Sequence, residues 1–214
     1  NPATPSLRVL ITAPDNQAVN LGSIVADAGR VGIHAGLVRQ GGTIRANTVV
    51  RGENGEILLK ATKDVELTAG SVTTASGPTA GKVTIEAESG TAKVSGRIEA
   101  NAEAPGASGG TIRISAQKDI TVDAQAVITV NGSSGGQVAI QSVAGTTLVA
   151  GRVEARGVPA STHTSQLVVA PTASALLSAQ PNSSLQGEGG GGVGGTIHVL
   201  GERVGLIEAA QLDA

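Results

Sequence analysis

His34, His163 and His198 are the only histidines in this sequence, and no cysteine accompanies them. Zinc needs three or four ligands within bonding reach. His34 and His198 fall on the same repeated strand about six repeats apart, roughly 29 Å at the spacing of stacked strands, and His163 falls in a loop. The spacing therefore predicts solvated histidines and no metal site. The acids that repeat at one position are Glu99, Glu154 and Asp213, in an outward ladder that reads Arg45, Thr73, Glu99, Thr129, Glu154, Gln186, Asp213. Its acids stand two repeats apart, near ~10 Å, with neutral residues between. A glycoside-cleaving pair needs ~5–9.5 Å and a cleft with one carboxyl on each side of the bond. Glu86 falls one repeat from Lys60, which predicts a cross-strand charge pair. No aromatic ring is available to stack on a sugar face. No catalytic, cofactor-binding or metal-ligating residue is expected.

The remaining motifs are compositional. Gly187-x-Gly189-x-x-Gly192 matches a dinucleotide fingerprint in letters, but it lacks the strand–turn–helix setting that aims backbone N–H groups at a phosphate. The aspartates of a calcium-binding nonapeptide repeat are missing from the same run. Asn131-Gly132-Ser133 and Asn182-Ser183-Ser184 are acceptor sequons on expected corners. No Ser, His and Asp fall where a repeat fold would bring them together.

The elements that must position these residues are short strands. Residues 81–101, GKVTIEAESGTAKVSGRIEAN, alternate apolar and polar in three runs: Val83, Ile85, Ala87; Ala92, Val94, Gly96; Ile98, Ala100. Such alternation marks half-buried strands, none large enough to fold alone. The pattern recurs. Gly29, Gly55, Gly81, Gly110 and Gly136 open successive units at a nearly constant spacing, and Gly195 follows at nearly two periods. The strands GRVGIHA, GEILLKA, GKVTIEA, GTIRISA, GQVAIQS and GTIHVLG follow these glycines. Leu7–Ile11 and Gln166–Ala170 supply further units, the latter filling the gap between Gly136 and Gly195. A closing strand repeats as GSIVAD, GTIRAN, GSVTTA, GRIEAN, AVITVN, GRVEAR, SSLQGE and AQLDA, which places Ile24, Ile44, Val72, Ile98, Ile128, Val153, Leu185 and Leu212 in one interior stack. A one-residue slip would turn that stack to water. Pro14, Pro78, Pro105, Pro159, Pro171 and Pro181 fall between strands or at their edges. The longest insertions are 156–165 and 186–194, read as loops leaving one corner, and 173–180 is the best helix candidate. Repeats of this period stack in parallel with right-handed crossovers. The fold class predicted is all-β: a right-handed parallel β-helix of about eight rungs and three sheets per turn, with residues 1–214 a single section. Ordinary rungs at Leu7–Ile11 and Leu206–Ala214 predict two open ends.

Composition narrows the partners. Without aromatics or methionine the interior must be narrow and filled by Val, Ile, Leu and Ala. Formal charge is −2 with acids and bases interspersed, so no basic stripe serves nucleic acid. No apolar run approaches the ~20 residues that span a bilayer as a helix. Disulfides are excluded. Asn1-Pro2-Ala3-Thr4-Pro5 is no signal peptide and reads as the middle of something longer.

Phrases such as VNLGSIVADAGRVGIHAGLVRQGGTIRAN and GGTIHVLGERVGLIEAAQLDA resemble the β-helical stalks of filamentous-haemagglutinin-like exoproteins, the surface adhesins that Gram-negative bacteria export by two-partner secretion. The likeness extends over the whole chain, most closely at 17–75 and 195–214. The family's asparagine- and proline-rich export signature is missing. Arg51-Gly52-Glu53 stands where some members carry an Arg-Gly-Asp motif, so integrin binding does not carry over. The resemblance implies a secreted or surface-attached structural rod, an outer-membrane transporter as partner, and no enzyme or cofactor. It names no host or neighbouring-cell ligand. Two other functions stay open at this level: a polysaccharide lyase or depolymerase, and a ligand binder using loops 156–165 and 186–194. End-to-end self-association is expected of the open rungs.

Overall fold

The computed structural model describes residues 7–49, 55–157, 194–207 and 210–214, together with the backbone of strands Gln166–Pro171, Ser178–Ala179 and Ser184–Gln186. The chain is a parallel β-solenoid with three faces, and no helix occurs among the described residues. Five turns carry a separate strand on each face. Their first strands are Glu56–Ala61, Lys82–Ala87, Thr111–Ala116, Gln137–Ser142 and Thr196–Gly201. Their second strands are Val65–Leu67, Ala92–Val94, Ile120–Val122, Thr146–Val149 and Arg203–Leu206. Their closing strands are Val72–Thr74, Arg97–Glu99, Val127–Thr129, Arg152–Glu154 and Gln211–Asp213.

Two lower levels differ. Strands Arg8–Asn20 and Arg30–Gln40 each run across the first and second faces without a break. The upper one pairs its start with Glu56–Ala61 and its end with Val65–Leu67. Hydrogen bonding therefore joins those two faces into one folded sheet of fourteen strands, and the closing face is a sheet of eight. Pro14 sits where the pairing of Arg8–Asn20 shifts, between Ala13 and Gln17. A missing N–H is tolerated at such a break. The eight or so equal rungs of the sequence pattern resolve, among the described residues, into five regular turns, two long-strand levels below, and one level above that holds the strands Gln166–Pro171, Ser178–Ala179 and Ser184–Gln186.

The alternation predicted for 81–101 holds: Val83, Ile85, Ala87, Ala92, Val94, Ile98 and Ala100 are buried, and Lys82, Lys93 and Arg97 face water. Stacking puts aliphatic columns in contact, such as Ile57, Val83, Ile112, Val138 and Ile197. At ~1.5–3 kcal/mol for each large side chain taken out of water, these columns supply the driving force. The leading glycines repeat for a second reason. A Cβ on Gly81, Gly110, Gly136 or Gly195 would lie 2.1–2.2 Å from the carbonyl oxygen of the glycine one level below. Those carbonyls accept the ladder bonds of the level above, Gly55 from Lys82 at 2.9 Å and Gly136 from Thr196 at 2.9 Å. Only glycine brings the backbones close enough.

Five sequence expectations change. Val72 is not in the closing stack: Thr73 pairs with Ile44 and Ile98, is fully buried, and takes the interior position. The turns do not stack in chain order. Thr196–Gly201 lies between Gln137–Ser142 and Gln166–Pro171, pairing with both, and the other two faces repeat that order. Consequently 206–214 is not an end of the stack, because Gln211–Asp213 is covered by Ser184–Gln186. Ile24 is half-buried, and Ser178–Ala179 is a strand where the sequence suggests a helix. The side chain of Leu185 lies outside the described residues.

Candidate functional site

The outward side chains of the closing face form the ladder in which the sequence places its acids, in a corrected order. Arg45, Thr74, Glu99, Thr129, Glu154, Asp213 and Gln186 follow one another up the stack. Thr74 replaces Thr73. Asp213 stands directly beside Glu154, not two levels away, because turn 196–213 docks on turn 137–154. Two carboxylates on neighbouring parallel strands repel at close range.

Two arginines resolve that repulsion. Arg156 Nη2 lies 2.5 Å from Asp213 Oδ2 and 3.4 Å from Glu154 Oε1, and its Nε donates to Asp213 Oδ2 at 2.6 Å. Arg152 ion-pairs with Glu154 from the same strand. Asn131 Nδ2 donates to Glu154 Oε2 at 3.4 Å. The acid side chains are 8% and 9% exposed, against 44% for Arg156. The Arg156 guanidinium is held above its ordinary pKa, first by its hydrogen bond to Asp213 and then by the charges of Glu154 and Asp213, with burial opposing. Here both carboxylates face guanidinium groups, so the cluster is a clamp between two turns.

An amide ladder runs beside this clamp at the corner after the closing strand. Asn47 Oδ1 accepts from Ser76 N at 3.1 Å and Asn101 Oδ1 from Asn131 N at 2.8 Å. Asn131 Oδ1 accepts from Arg156 N at 2.8 Å. The sequon asparagine is thus half-buried, with both ends of its amide engaged. Its signal in the sequence is the Asn that ends three of the closing strands, which alternation alone does not explain. A second set of caps also escapes the sequence pattern: Asp64 Oδ1 accepts from Thr91 N and Asp119 Oδ1 from Thr146 N, each at 2.7 Å.

The other candidates disperse. His34 and His198 are half-exposed on different outward columns, five levels apart rather than six, and no metal-binding group occurs among the described residues. Lys60 does pair with Glu86, at 3.7 Å, and more closely with Glu88, at 2.7 Å. The Glu88 bond is the main cause that raises the pKa of Lys60 and lowers that of Glu88. His163, Asn182, Arg51-Gly52-Glu53, Gly187-x-Gly189-x-x-Gly192 and most of loops 156–165 and 186–194 lie outside the described residues. Described cavities are shallow. One of about 310 Å³ lies where the short connection 95–96 is recessed between longer ones at 68–71 and 123–126, lined by Ser71, Gly96, Arg97 and Gln125. Another, of about 270 Å³, lies on the first face around Arg8, Leu10, Gly32 and Leu58. Neither touches Glu99, Glu154 or Asp213.

No protein family profile matches this chain, and no curated protein matches it. Among solved structures the chain is similar to the HMW1 secretion domain from Haemophilus influenzae, with a TM-score of 0.62 and 22% identity. The match covers 91% of this chain and 50% of that one. The shared feature is the β-solenoid. This chain spans about half the length of the structure that it matches. No helix is long and apolar enough to cross a membrane among the described residues.

Proposed function

We propose that this chain is a stiff, non-catalytic rod section of a secreted or cell-surface exoprotein of the filamentous-haemagglutinin-like kind, exported through an outer-membrane transporter by two-partner secretion in a Gram-negative bacterium. The observation that carries the reading is the continuous ladder. Glycine carbonyls, aliphatic columns and asparagine caps each run level on level, so bending the rod would break all three together. The likeness to a secretion-domain solenoid supports the export setting. The clamped carboxylates support a non-catalytic role, because the acids brought closest together are tied to arginines and line none of the described cavities.

The mechanical role needs resistance to proteases without disulfides, which the parallel ladders supply. Placed behind a two-partner export domain in cells that carry the matching transporter, the chain should reach the surface and there resist protease. Retention in the periplasm, or rapid cleavage within turns 56–154 once exported, would count against the rod. Turnover of an acidic polysaccharide that a single Asp or Glu substitution abolishes would replace this reading with the enzymatic one.

A further inference from the structure

Corner lengths alternate up the stack between the second and closing faces. Connections 68–71 and 123–126 hold four residues each, and 95–96 and 150–151 hold two. Each long one is a turn closed by a hydrogen bond, Ser71 N to Thr68 O at 3.1 Å and Ala126 N to Asp123 O at 2.9 Å. Each short one rests on the turn below it. A Cβ on Gly96 would meet the carbonyls of Thr68 and Ser71 at 2.8 and 2.7 Å, and one on Gly151 those of Asp123 and Ala126 at 2.6 and 2.7 Å. The recesses therefore have floors of bare backbone. The turn tips Ala69-Gly70 and Ala124-Gln125 are exposed, and Gly70 and Gln125 wall the hollow of about 310 Å³ over Gly96.

The alternation belongs to a two-turn repeat. Turn 56–74 aligns with 111–129, and 82–99 with 137–154, without a gap. Lys63-Asp64 recurs as Lys118-Asp119, and Gly96-Arg97-x-Glu99 as Gly151-Arg152-x-Glu154. Asp64 and Asp119 cap Thr91 N and Thr146 N of the level above at the same 2.7 Å. Side chains alternate in phase with the shape: the outward column bordering the corner reads Val72, Arg97, Val127, Arg152 up the stack. Ridges and recesses thus share one pitch of two levels, ~9.6 Å. Such an edge is complementary to itself when shifted by one level.

Symmetry then selects an orientation. A two-fold axis along the rods sets each level against its own copy, ridge on ridge and Arg97 on Arg97. An axis across the rods reverses one of them and permits the shift. Levels 56–74 and 82–99 then face levels 137–154 and 111–129 of the other rod, and ridge enters recess at four places. Arg97 faces Val127 and Arg152 faces Val72, so the arginine stems cover apolar surface. Lys93 faces Asp123, the residue it already pairs with inside its own chain at 3.4 Å.

We propose that this corner is a docking edge for a second copy of the chain, antiparallel and offset by one level. Turn 123–126 of each copy seats over Gly96 of the other, and turn 68–71 over Gly151. The contact is isologous and closes as a dimer. It goes beyond the rod reading, which needs no lateral partner.

In sedimentation over a hundredfold concentration range, the weight-average mass of the full chain should rise to a plateau at twice the monomer mass. Ala124→Arg enlarges an exposed tip and carries a cation toward Arg97 of the second copy. It should weaken the dimer at least ~10-fold with an unchanged circular dichroism spectrum. Single cysteines read the offset, because the chain has none of its own. Across the axis the two Ala124 tips lie one level apart, ~4.8 Å and within disulfide reach, and the two Ala69 tips three levels apart, roughly 14 Å. Ala124→Cys should oxidise to a covalent dimer, and Ala69→Cys should stay reduced. A monomer at every concentration, association that Ala124→Arg leaves intact, or crosslinking of Ala69→Cys as fast as Ala124→Cys would refute the edge. None of these results touches export or protease resistance, on which the rod reading stands.

Discussion

Thr73 is the residue on which the register of the closing face can be weighed. It is fully buried between Ile44 and Ile98, and its hydroxyl has no hydrogen-bond partner. An unsatisfied buried hydroxyl costs ~1–3 kcal/mol relative to an apolar group of the same shape. Thr73→Val keeps the branched shape, so it opens no cavity and adds no bulk, and the new methyl joins an aliphatic column. The expected gain is the lower part of that range, ~1–2 kcal/mol. Val72→Thr is the control, because its side chain is half-exposed on the outward face. That change should stay within ~0.5 kcal/mol, as surface substitutions do. The chain has no aromatic residue, so unfolding should be followed by circular dichroism in urea, reading the midpoint at unchanged slope. A loss of stability in Thr73→Val together with a cost above ~1 kcal/mol in Val72→Thr would mean that the strand is turned over and the register is wrong.

Other perturbations follow from the same stack. Ile98 is fully buried, so Ile98→Asp should unfold neighbouring turns, because a charge in a dry column has no partner. Glu99→Ala, one residue along, should cost less than ~0.5 kcal/mol, and a thermal melt of each separates them. Gly81→Ala places a Cβ 2.1 Å from the Gly55 carbonyl, whereas Gly22→Ala meets nothing within 4 Å. The first should cost more than ~2 kcal/mol and the second should be near neutral in the same urea titration. Arg156→Ala leaves the nearly buried Glu154 and Asp213 facing each other. Its cost should be ~1–3 kcal/mol, discounted for the exposure of Arg156, with hydrogen exchange rising first in 196–213. The Glu88 carboxyl is lowered from its ordinary 4.5 by Lys60, so its contribution is present above that value and is lost as pH falls through the lower folded one. Lys60, raised from 10.5, contributes below that value and loses its share only as pH rises through the higher folded one. Glu88→Gln should therefore flatten both limbs of a stability–pH curve.

The parts of the fold that are legible in the sequence are those set by alternation and by the glycine period. Val83, Ile85, Ile98 and their neighbours face inward because strand side chains alternate and one face must be dry. The leading glycines mark the levels because carbonyls occupy the space of a Cβ. Letters mislead where they are matched without counting the corner. Aligning GSVTTA on its Gly70 with the Gly96 of GRIEAN overlooks that corner 68–71 is two residues longer than 95–96. Ser71, not Gly70, sits below Gly96, and one residue of slip exchanges Val72 for Thr73. A different ambiguity hides the adjacency of Glu154 and Asp213. A strand that stacks next in sequence and a strand that belongs to an insertion carry the same alternating pattern. The gap from Gly136 to Gly195 thus reads equally as two turns or as one turn with an excursion. Asn47, Asn101 and Asn131 are visible as letters, but their role as a capping ladder emerges only when the levels are superposed.

The order of the turns can be read directly, because the chain has no cysteine to interfere. Ala139 and His198 are register partners on adjacent levels, both half-exposed, and Val168 is the partner of His198 one level further up. Neighbouring levels lie ~4.8 Å apart, within reach of a disulfide, and two levels are about 9.6 Å, beyond it. Mild oxidation of the A139C/H198C double variant should give an intramolecular disulfide in the folded monomer, and A139C/V168C should stay reduced. A disulfide in A139C/V168C with none in A139C/H198C would place the turns in chain order and contradict the uninterrupted ladder from Gly136 to Gly195.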